Sequence, residues 1–198
     1  MKFRSRLIKN KNGYEIYGPI LIEPKIFEDT RGSFYESWNE EDWKQILNKF
    51  NQIYKPFLQD NHSKSIKGVL RGLHFQRDPL PQGKLVRCIS GEIFDVAVDI
   101  RKNSESFGKW VGAYLNSINR NQLWIPEGFA HGFLTMSDYA EVNYKTTNFW
   151  NKHFEDCIIW NDKTINIDWP LLDLREASVT LSEKDLNAQK LDDLKLME

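Results

Sequence analysis

The sequence contains little cysteine, little histidine and no excess of charge of either sign. Only two of its 198 residues are cysteines, Cys88 and Cys157, and only four are histidines. Two cysteines cannot form the disulfide framework of a small secreted protein, and they fit a reducing compartment. Lysine and arginine number 27 against 28 aspartate and glutamate, a formal net charge of -1. Because proteins that bind the nucleic-acid backbone usually carry a basic excess, no general nucleic-acid binding is expected.

Long apolar runs are also missing. The most apolar block, Ile93–Ile100, contains two aspartates and is far shorter than the roughly 18 apolar residues of a membrane span. The basic N-terminus is not followed by an apolar stretch of signal-peptide length. A hydrophobic content of 40% with 28% charged residues is typical of a folded domain. We therefore expect a cytoplasmic protein that does not enter a membrane.

The sequence does contain many short blocks with a period of two. In Ile93–Ile100 the even positions are apolar, whereas the odd positions include Asp95 and Asp99, which is typical of a strand with two unlike faces. Similar blocks, rich in β-branched and aromatic residues, follow one another between turn formers such as Pro81-Gln82-Gly83. Because no helices alternate with them, these blocks predict a mainly β protein, an antiparallel sandwich or barrel.

Helix signals occur in two places. Asn39 is a suitable N-cap for a short helix near residues 40–50, in which apolar residues recur at helical spacing, namely Trp43, Ile46, Leu47 and Phe50. A second, C-terminal helix is expected from Ser182 onward.

Two histidines lie in predicted strands, where a histidine is more often a hydrogen-bonded structural residue than a catalytic one. Imidazole, with an unperturbed pKa of roughly 6.5, is nevertheless the commonest general base near neutral pH. His131 follows the turn Pro126-Glu127-Gly128, as in the second half of a metal-cupin signature, but Gln76 stands where a second histidine would accompany His74. With too few ligands in the expected pattern, no metal site is predicted.

Three further polar residues have an ordinary structural explanation. Lys84 lies in a predicted strand, where most lysines face solvent, although a lysine turned into a pocket stabilises a developing oxyanion. Tyr144 also lies in a predicted strand, and packing explains it. Asp185 ends the tetrapeptide Ser182-Glu183-Lys184-Asp185, which has the form of a helix N-terminus. Residue chemistry alone does not select Tyr144 or Asp185 for function.

Taken together, the blocks resemble one enzyme family. In chain order they are FEDTRGSFYE (27–36), QDNHSKS (59–65), GVLRGLHFQ (68–76), QGKLVRC (82–88), DVAVDIR (95–101), SFGKW (106–110), QLWIPEGFAHGF (122–133), YK (144–145), WND (160–162) and LSEKD (181–185). They closely resemble the dTDP-4-dehydrorhamnose 3,5-epimerases, nucleotide-sugar epimerases of dTDP-rhamnose biosynthesis. The resemblance runs from about residue 21 to 185. It predicts a single domain over 21–198, preceded by an N-terminal extension, residues 1–20, of unknown role.

The resemblance implies a reaction and assigns residues to it. The family acts on dTDP-4-dehydro-6-deoxy-glucose and inverts C3 and C5. Both protons lie next to the C4 ketone, so each is removed through an enolate, which requires a base, an oxyanion stabiliser and an acid on the opposite face. By resemblance His74 is the base, Asp185 orients it and Tyr144 is the acid. Lys84 matches the position near the sugar oxygen that acquires charge.

A fold, a partner and a set of binding residues are implied as well. The family is similar in fold to cupin jelly rolls, works without a metal or other cofactor, and forms homodimers in which N-terminal residues cross to the partner subunit. Arg31 and Glu36 are therefore expected to serve either their own site or the neighbour's. The positions that match substrate-binding residues are Arg31, Glu36, Gln59, Asn61, Arg71, Lys84, His131, Glu155 and Lys184.

One local conflict arises from this assignment. Arg71 and His74 are three residues apart, so a regular strand would place them on opposite faces. Gly72 lies between them and could permit a β-bulge that brings both to one face.

Other functions stay open at the level of sequence. The nearest alternative is a single-centre epimerase or a ketoisomerase acting on a related dTDP-sugar with the same residues. A metal-dependent cupin oxygenase and a non-catalytic sugar-binding jelly roll are less favoured, and they belong to different functional classes.

Overall fold

The computed structural model describes residues 3–194 and contains two antiparallel sheets packed face to face. In order across the six-stranded sheet, the strands are β1 (Phe3–Lys9), β2 (Glu15–Pro24), β10 (Gln122–Ile125), β7 (Lys84–Ser90), β12 (Tyr139–Thr146) and β5 (Gln59–Ile66). The five-stranded sheet contains β13 (Glu155–Cys157), β6 (Leu70–Gln76), β11 (Phe129–Thr135), β8 (Glu92–Asp99) and β9 (Trp110–Asn116). A separate hairpin consists of β3 (Phe27–Asp29) and β4 (Gly32–Phe34). This arrangement confirms the mainly β, antiparallel prediction.

The N-terminal residues are part of the larger sheet. β1 pairs with β2 from Phe3, opposite Pro24, to Lys9, opposite Glu15. β2 in turn pairs with β10. The expected boundary at residue 20 therefore falls inside β2 rather than between two elements.

Side chains alternate along each strand between two apolar layers. In β8 the even residues Phe94, Val96 and Val98 pack into the cluster outside the five-stranded sheet. Ile93 and Ala97 face the other way, into the cluster between the sheets. The period of two in the sequence thus reflects a strand that is covered on both faces.

The first helix, α1 (Glu40–Lys49), covers the outside of the six-stranded sheet. Asn39 caps it, since its side chain accepts hydrogen bonds from the backbone N–H groups of the second and third helical residues. Trp43, Ile46 and Leu47 are buried against Leu85 and Trp124 of the sheet. The position and the apolar face of this helix agree with the prediction.

The second helix begins where expected but is much shorter. Ser182 caps α2 (Glu183–Leu186), which ends after one turn. The chain then runs beside the edge of β13, where Gln189 accepts a hydrogen bond from the backbone N–H of Ile159. Two 3-10 turns, Leu171–Leu174 and Leu191–Asp193, complete the C-terminal segment. Residues 195–198 of the expected helix lie outside the described residues.

The shortness of α2 has a packing cause. Leu191 is buried in the outer cluster of the five-stranded sheet, and its backbone N–H donates to the Asp162 carboxylate. A continued helix would remove both contacts.

Among the helices in residues 3–194, none is long and apolar enough to cross a membrane.

A bulge at Gly72 resolves the conflict between Arg71 and His74. In the pairing of β6 with β11, His74 lies opposite His131, whereas Arg71 lies opposite Phe133. An interval of three residues in β6 therefore pairs with an interval of two residues in β11, so β6 contains one extra residue, as in a β-bulge. Gly72 has φ +129°, a conformation that side chains with a Cβ rarely adopt.

We expect Gly72→Ala to destabilise the fold more than Gly32→Ala does. The two glycines share nearly the same φ, +129° and +128°. A Cβ at Gly72 would lie 2.5 Å from the Cα of Gly132, whereas a Cβ at Gly32 would meet nothing within 4 Å. Overpacking of this kind costs about 1–3 kcal/mol beyond the shared backbone strain. Urea unfolding of both variants measures the difference, and equal midpoints would contradict a close β6–β11 contact.

Candidate active site

Polar side chains replace apolar ones over part of the space between the two sheets. In the five-stranded sheet, His74 lies directly between His131 and Cys157 of the flanking strands. In the six-stranded sheet, Tyr144 lies opposite Asn61. Because residues paired across antiparallel strands project to the same side, these groups face one interior region.

His74 and Asp185 form a hydrogen-bonded dyad. The His74 Nε2 atom lies 2.6 Å from the Asp185 Oδ1 atom. Burial alone would raise the pKa of Asp185, but hydrogen bonds from His74, Ser182 and Cys157 outweigh it and hold that pKa below its usual value. An ionised carboxylate only accepts, so Nε2 carries the proton and Nδ1 keeps the lone pair. The dyad therefore presents one ring nitrogen as a base.

The helix start that positions Asp185 uses its backbone and its side chain separately. The Ser182 hydroxyl accepts a hydrogen bond from the backbone N–H of Asp185, which is the ordinary cap. The Asp185 carboxylate is buried and lies 2.6 Å from His74 Nε2. The capping pattern predicted from sequence is thus present, and the carboxylate is left to form the dyad.

Lys84 enters the same region from the opposite sheet. Its side chain is buried, and Nζ donates to the backbone carbonyl of His74 at 3.2 Å. Burial lowers the pKa of Lys84 to about 8, against the opposing influence of Glu155 and Asp95. Arg87, three residues along the strand, donates to Asn143 instead. An ammonium group held in a poorly hydrated site stabilises a neighbouring oxyanion strongly.

Tyr144 and Arg71 also approach each other across the sandwich. Burial raises the pKa of the Tyr144 phenol, while the positive charge of Arg71 opposes that rise. Arg71 Nε donates to the Ser65 hydroxyl of β5 at 3.0 Å. The bulge in β6 thus lets Arg71 and His74 both reach toward the six-stranded sheet. Tyr144 remains a neutral phenol that can donate a proton.

The rim of this region is a connected set of polar groups. Lys184, next to Asp185, forms an ion pair with Glu155 at 2.5 Å. Burial would raise the pKa of Glu155, but hydrogen bonds from Lys184 and Trp150 outweigh it and lower that pKa. The Gln59 side chain accepts a hydrogen bond from the backbone N–H of Trp150.

This interior region is thus bordered by a base, an ammonium group, a phenol and a guanidinium, contributed by both sheets. The family model for dTDP-4-dehydrorhamnose 3,5-epimerase matches residues 13–193. The chain belongs to this family. The resemblance expected from the ordered blocks is confirmed.

Individual members of the dTDP-4-dehydrorhamnose 3,5-epimerase family are closely similar to this chain. One from Shigella flexneri is 55% identical over 179 residues, which are 90% of this chain and 94% of the relative. The crystal structure of a 3,5-epimerase from Legionella pneumophila Philadelphia 1, in complex with dTDP-4-keto-L-rhamnose, superposes with a TM-score of 0.86. Its sequence identity is 44%, and the match covers 96% of this chain and 95% of that one.

The fold is also shared with a single-centre epimerase. The 3'-monoepimerase of Streptomyces bikiniensis, solved in complex with dTDP-quinovose, matches with a TM-score of 0.79 and 28% identity, over 88% of this chain and 84% of that one. The fold alone therefore does not fix the number of centres inverted.

Arg31 and Glu36 are the two family-matched positions that the described chain does not bring to His74. Arg31 lies at the exposed β3–β4 hairpin and pairs with Asp29. Glu36 accepts a hydrogen bond from Asn39, before α1. β2 runs along β10 toward Gln122 and then continues to this hairpin, whereas Lys84 pairs with Ile125 at the other end of β10. The hairpin and Lys84 therefore lie at opposite ends of β10.

Sequence reasoning missed three residues of the site. Asp95, considered only as an interruption of an apolar strand, is fully buried and accepts from His131 Nε2 at 2.7 Å. Burial lowers the pKa of His131, although Asp95 opposes this. Trp150 exposes half of its surface at the rim, where its ring could stack on a planar base. Cys157 contacts Asp185. Asp95 on the mixed face of an otherwise apolar predicted strand was the available signal for this residue.

Proposed function

We propose that the protein epimerises dTDP-4-dehydro-6-deoxy-glucose at C3 and C5 to give dTDP-4-dehydrorhamnose, a step of dTDP-rhamnose biosynthesis. The observation that carries the proposal is the His74–Asp185 dyad, which faces the Lys84 ammonium group from the opposite sheet. Membership of the epimerase family supports the choice of substrate.

Proton abstraction is assigned to His74. Asp185 fixes the ring through Nε2, so Nδ1 is free to accept the proton from the carbon next to the C4 ketone. The carboxylate also stabilises the imidazolium that forms, because it stays ionised in the resting site. The electron pair of the broken C–H bond moves onto the C4 oxygen as an enolate.

Lys84 is the group that stabilises this enolate. Its ammonium group is removed from bulk water, and an oppositely charged oxygen is therefore stabilised more strongly than it would be at the surface. No compensating proton transfer from solvent is needed at that moment. The substrate that we assign to this position places its C4 oxygen within reach of Nζ.

Inversion requires a proton from the other face of the ring, and Tyr144 is assigned this role. It belongs to the six-stranded sheet, opposite the sheet that carries His74. Burial raises the pKa of the phenol, so it is protonated before reaction and donates to the carbanionic carbon. After both events the enzyme holds an imidazolium and a phenolate, which exchange protons with solvent before the second centre reacts.

The remaining residues of the interior hold the substrate. Arg71 suits a pyrophosphate oxygen, because a guanidinium forms paired hydrogen bonds with phosphate. The polar groups that surround the sugar and nucleotide in this proposal are Gln59, Asn61, His131, Glu155 and Lys184.

We also propose that the enzyme acts as a homodimer in the cytoplasm. The hairpin residues Phe27 and Phe34 are exposed, and a partner subunit would cover them. In such a dimer Arg31 and Glu36 complete the neighbour's site rather than their own. The two buried cysteines, neither of which forms a disulfide among the described residues, agree with a reducing compartment.

Incubation with dTDP-4-dehydro-6-deoxy-glucose in heavy water tests the reaction. We expect deuterium at both C3 and C5, because each carbon loses a proton and regains one from a group that exchanges with solvent. Mass spectrometry and NMR of the product locate the label. Exchange at one carbon would favour the single-centre epimerase, and absence of exchange at both would refute the function.

Two substitutions separate the base from the acid. His74→Ala should abolish exchange at both carbons, since no proton is removed. Tyr144→Phe should leave exchange measurable but reduce inversion by about 10²–10⁴-fold, the usual contribution of a positioned acid. The ratio of deuterium incorporation to product formation measures this difference. Equal losses of exchange and inversion in Tyr144→Phe would contradict the assigned role.

Mixed dimers test the contribution of the hairpin. Arg31→Ala and His74→Ala should each reduce activity as homodimers. If Arg31 serves the neighbour, a mixed dimer of the two variants has one site lacking both residues and one site that is intact. After subunits are exchanged, we therefore expect each mixed dimer to show about half of the activity of an unmodified dimer. No recovery in confirmed mixed dimers would place Arg31 in its own subunit's site.

A further inference from the structure

Cys157 contacts the dyad, and the proposed reaction assigns it no step. It lies directly opposite His74 in the pairing of β13 with β6, so both side chains project to the same side. Its Sγ atom lies 3.6 Å from Asp185 Oδ1, and the thiol is buried. An imidazole, a thiol and a carboxylate therefore meet at one point.

The three groups are close enough to bind one ion together. One ligand atom from each of His74, Cys157 and Asp185 lies within 4.8 Å of the ligand atoms of the other two. Zinc binds nitrogen and oxygen at about 2.0–2.2 Å and sulfur at about 2.3 Å, which places tetrahedral ligand atoms roughly 3.3–3.7 Å apart. The oxygen–sulfur separation already has this value, and the Nε2–Oδ1 pair must widen from 2.6 Å.

We propose that His74, Cys157 and Asp185 form an inhibitory binding site for a thiophilic divalent cation such as Zn²⁺. The cation takes the place of the proton that Nε2 shares with Asp185, and this proton moves to Nδ1. The thiol releases its proton to solvent, so the thiolate and the carboxylate together balance the charge of the cation. Nδ1 then has no lone pair, and the base is lost.

The surroundings distinguish an inhibitor from a resident metal. Lys184 acts electrostatically on Cys157 and on Lys84, and Lys84 also interacts with Cys157. Two cationic side chains beside the site weaken the binding of a third cation. A tetrahedral ion held by three ligands keeps a fourth coordination position, and the site is open at His74, whose side chain retains 28% exposure whereas that of Asp185 retains 4%. The ion therefore enters by the route of the substrate, and bound substrate should protect the site.

The donor set also selects the type of ion. A thiolate and an imidazole favour Zn²⁺, Co²⁺ and Cd²⁺, whereas Mg²⁺ prefers oxygen ligands and octahedral geometry. Mg²⁺ at the same concentration should therefore neither bind to the three residues nor slow turnover.

Titration of the full-length protein with Co²⁺ tests binding without reference to activity. A thiolate-to-cobalt charge-transfer band in the near ultraviolet should grow to saturation at one equivalent. The matched variants are Cys157→Ser and Cys88→Ser, because both cysteines are buried and free. We expect the band in the parent protein and in Cys88→Ser, and its loss in Cys157→Ser and in Cys157→Ala. Absence of the band in the parent protein, or its persistence in both Cys157 variants, would overturn the proposal.

A second measurement tests the inhibition, which rests on the proposed role of His74. The concentration of Zn²⁺ that halves deuterium exchange is measured for each variant relative to its own metal-free rate. Loss of one ligand should raise this concentration by about 10–100-fold in Cys157→Ser, while Cys88→Ser stays at the parent value. A chelator should restore the rate. If the parent protein shows no exchange at all, the proposed epimerase function is refuted, and the cobalt band still tests the metal site. If exchange occurs and Zn²⁺ inhibits all variants equally, the metal proposal is refuted.

Discussion

The register between β6 and β11 is the constraint on which the candidate site depends. One extra residue at Gly72 allows Arg71 and His74, three positions apart, to reach the same interior. In a regular strand one of them would enter the apolar cluster outside the sheet, where an unpaired charge or imidazole is costly. The bulge requires glycine at position 72, because the backbone of β11 approaches so closely that a Cβ there would collide with it. A local feature of one strand thus determines which side chains face the interior of the candidate site.

Burial then adjusts these side chains for proton transfer. The same removal from water lowers the pKa of Lys84 and raises that of Tyr144. The pKa of Asp185 stays below its usual value although burial would raise it, because three hydrogen-bond donors surround its carboxylate. The proposed base is thus paired with an ionised carboxylate, while the proposed acid begins in its neutral form. A charged interior of this kind does not favour stability, and the clusters on either side of each sheet supply the apolar burial that compensates.

Much of the architecture follows from local sequence, whereas the site follows mainly from pairing between distant segments. The period of two in Ile93–Ile100 and the cap at Asn39 predict a strand and a helix correctly, because alternation and capping are local properties. The C-terminal helix is overestimated, since helical propensity after Ser182 does not reveal that Leu191 is buried elsewhere. Asp185 is a capping residue by sequence and a dyad partner in the structure, and 111 residues separate it from His74. The ordered blocks of the family identified this pair, whereas residue type alone did not.

The carboxylate that orients the histidine also makes the dyad a possible ligand for metal ions. A carboxylate that is kept ionised beside an imidazole is a good partner for a proton, and it is a good ligand for a metal for the same reason. Cys157 adds a soft donor to the pair because β13 places it directly opposite His74. Lys84 and Lys184 counteract this tendency with positive charge, and Lys84 does so from the position where the enolate is to be stabilised. Under these two proposals, one set of charges serves the reaction and opposes a competing cation, which links the chemistry of the site to its selectivity against metals.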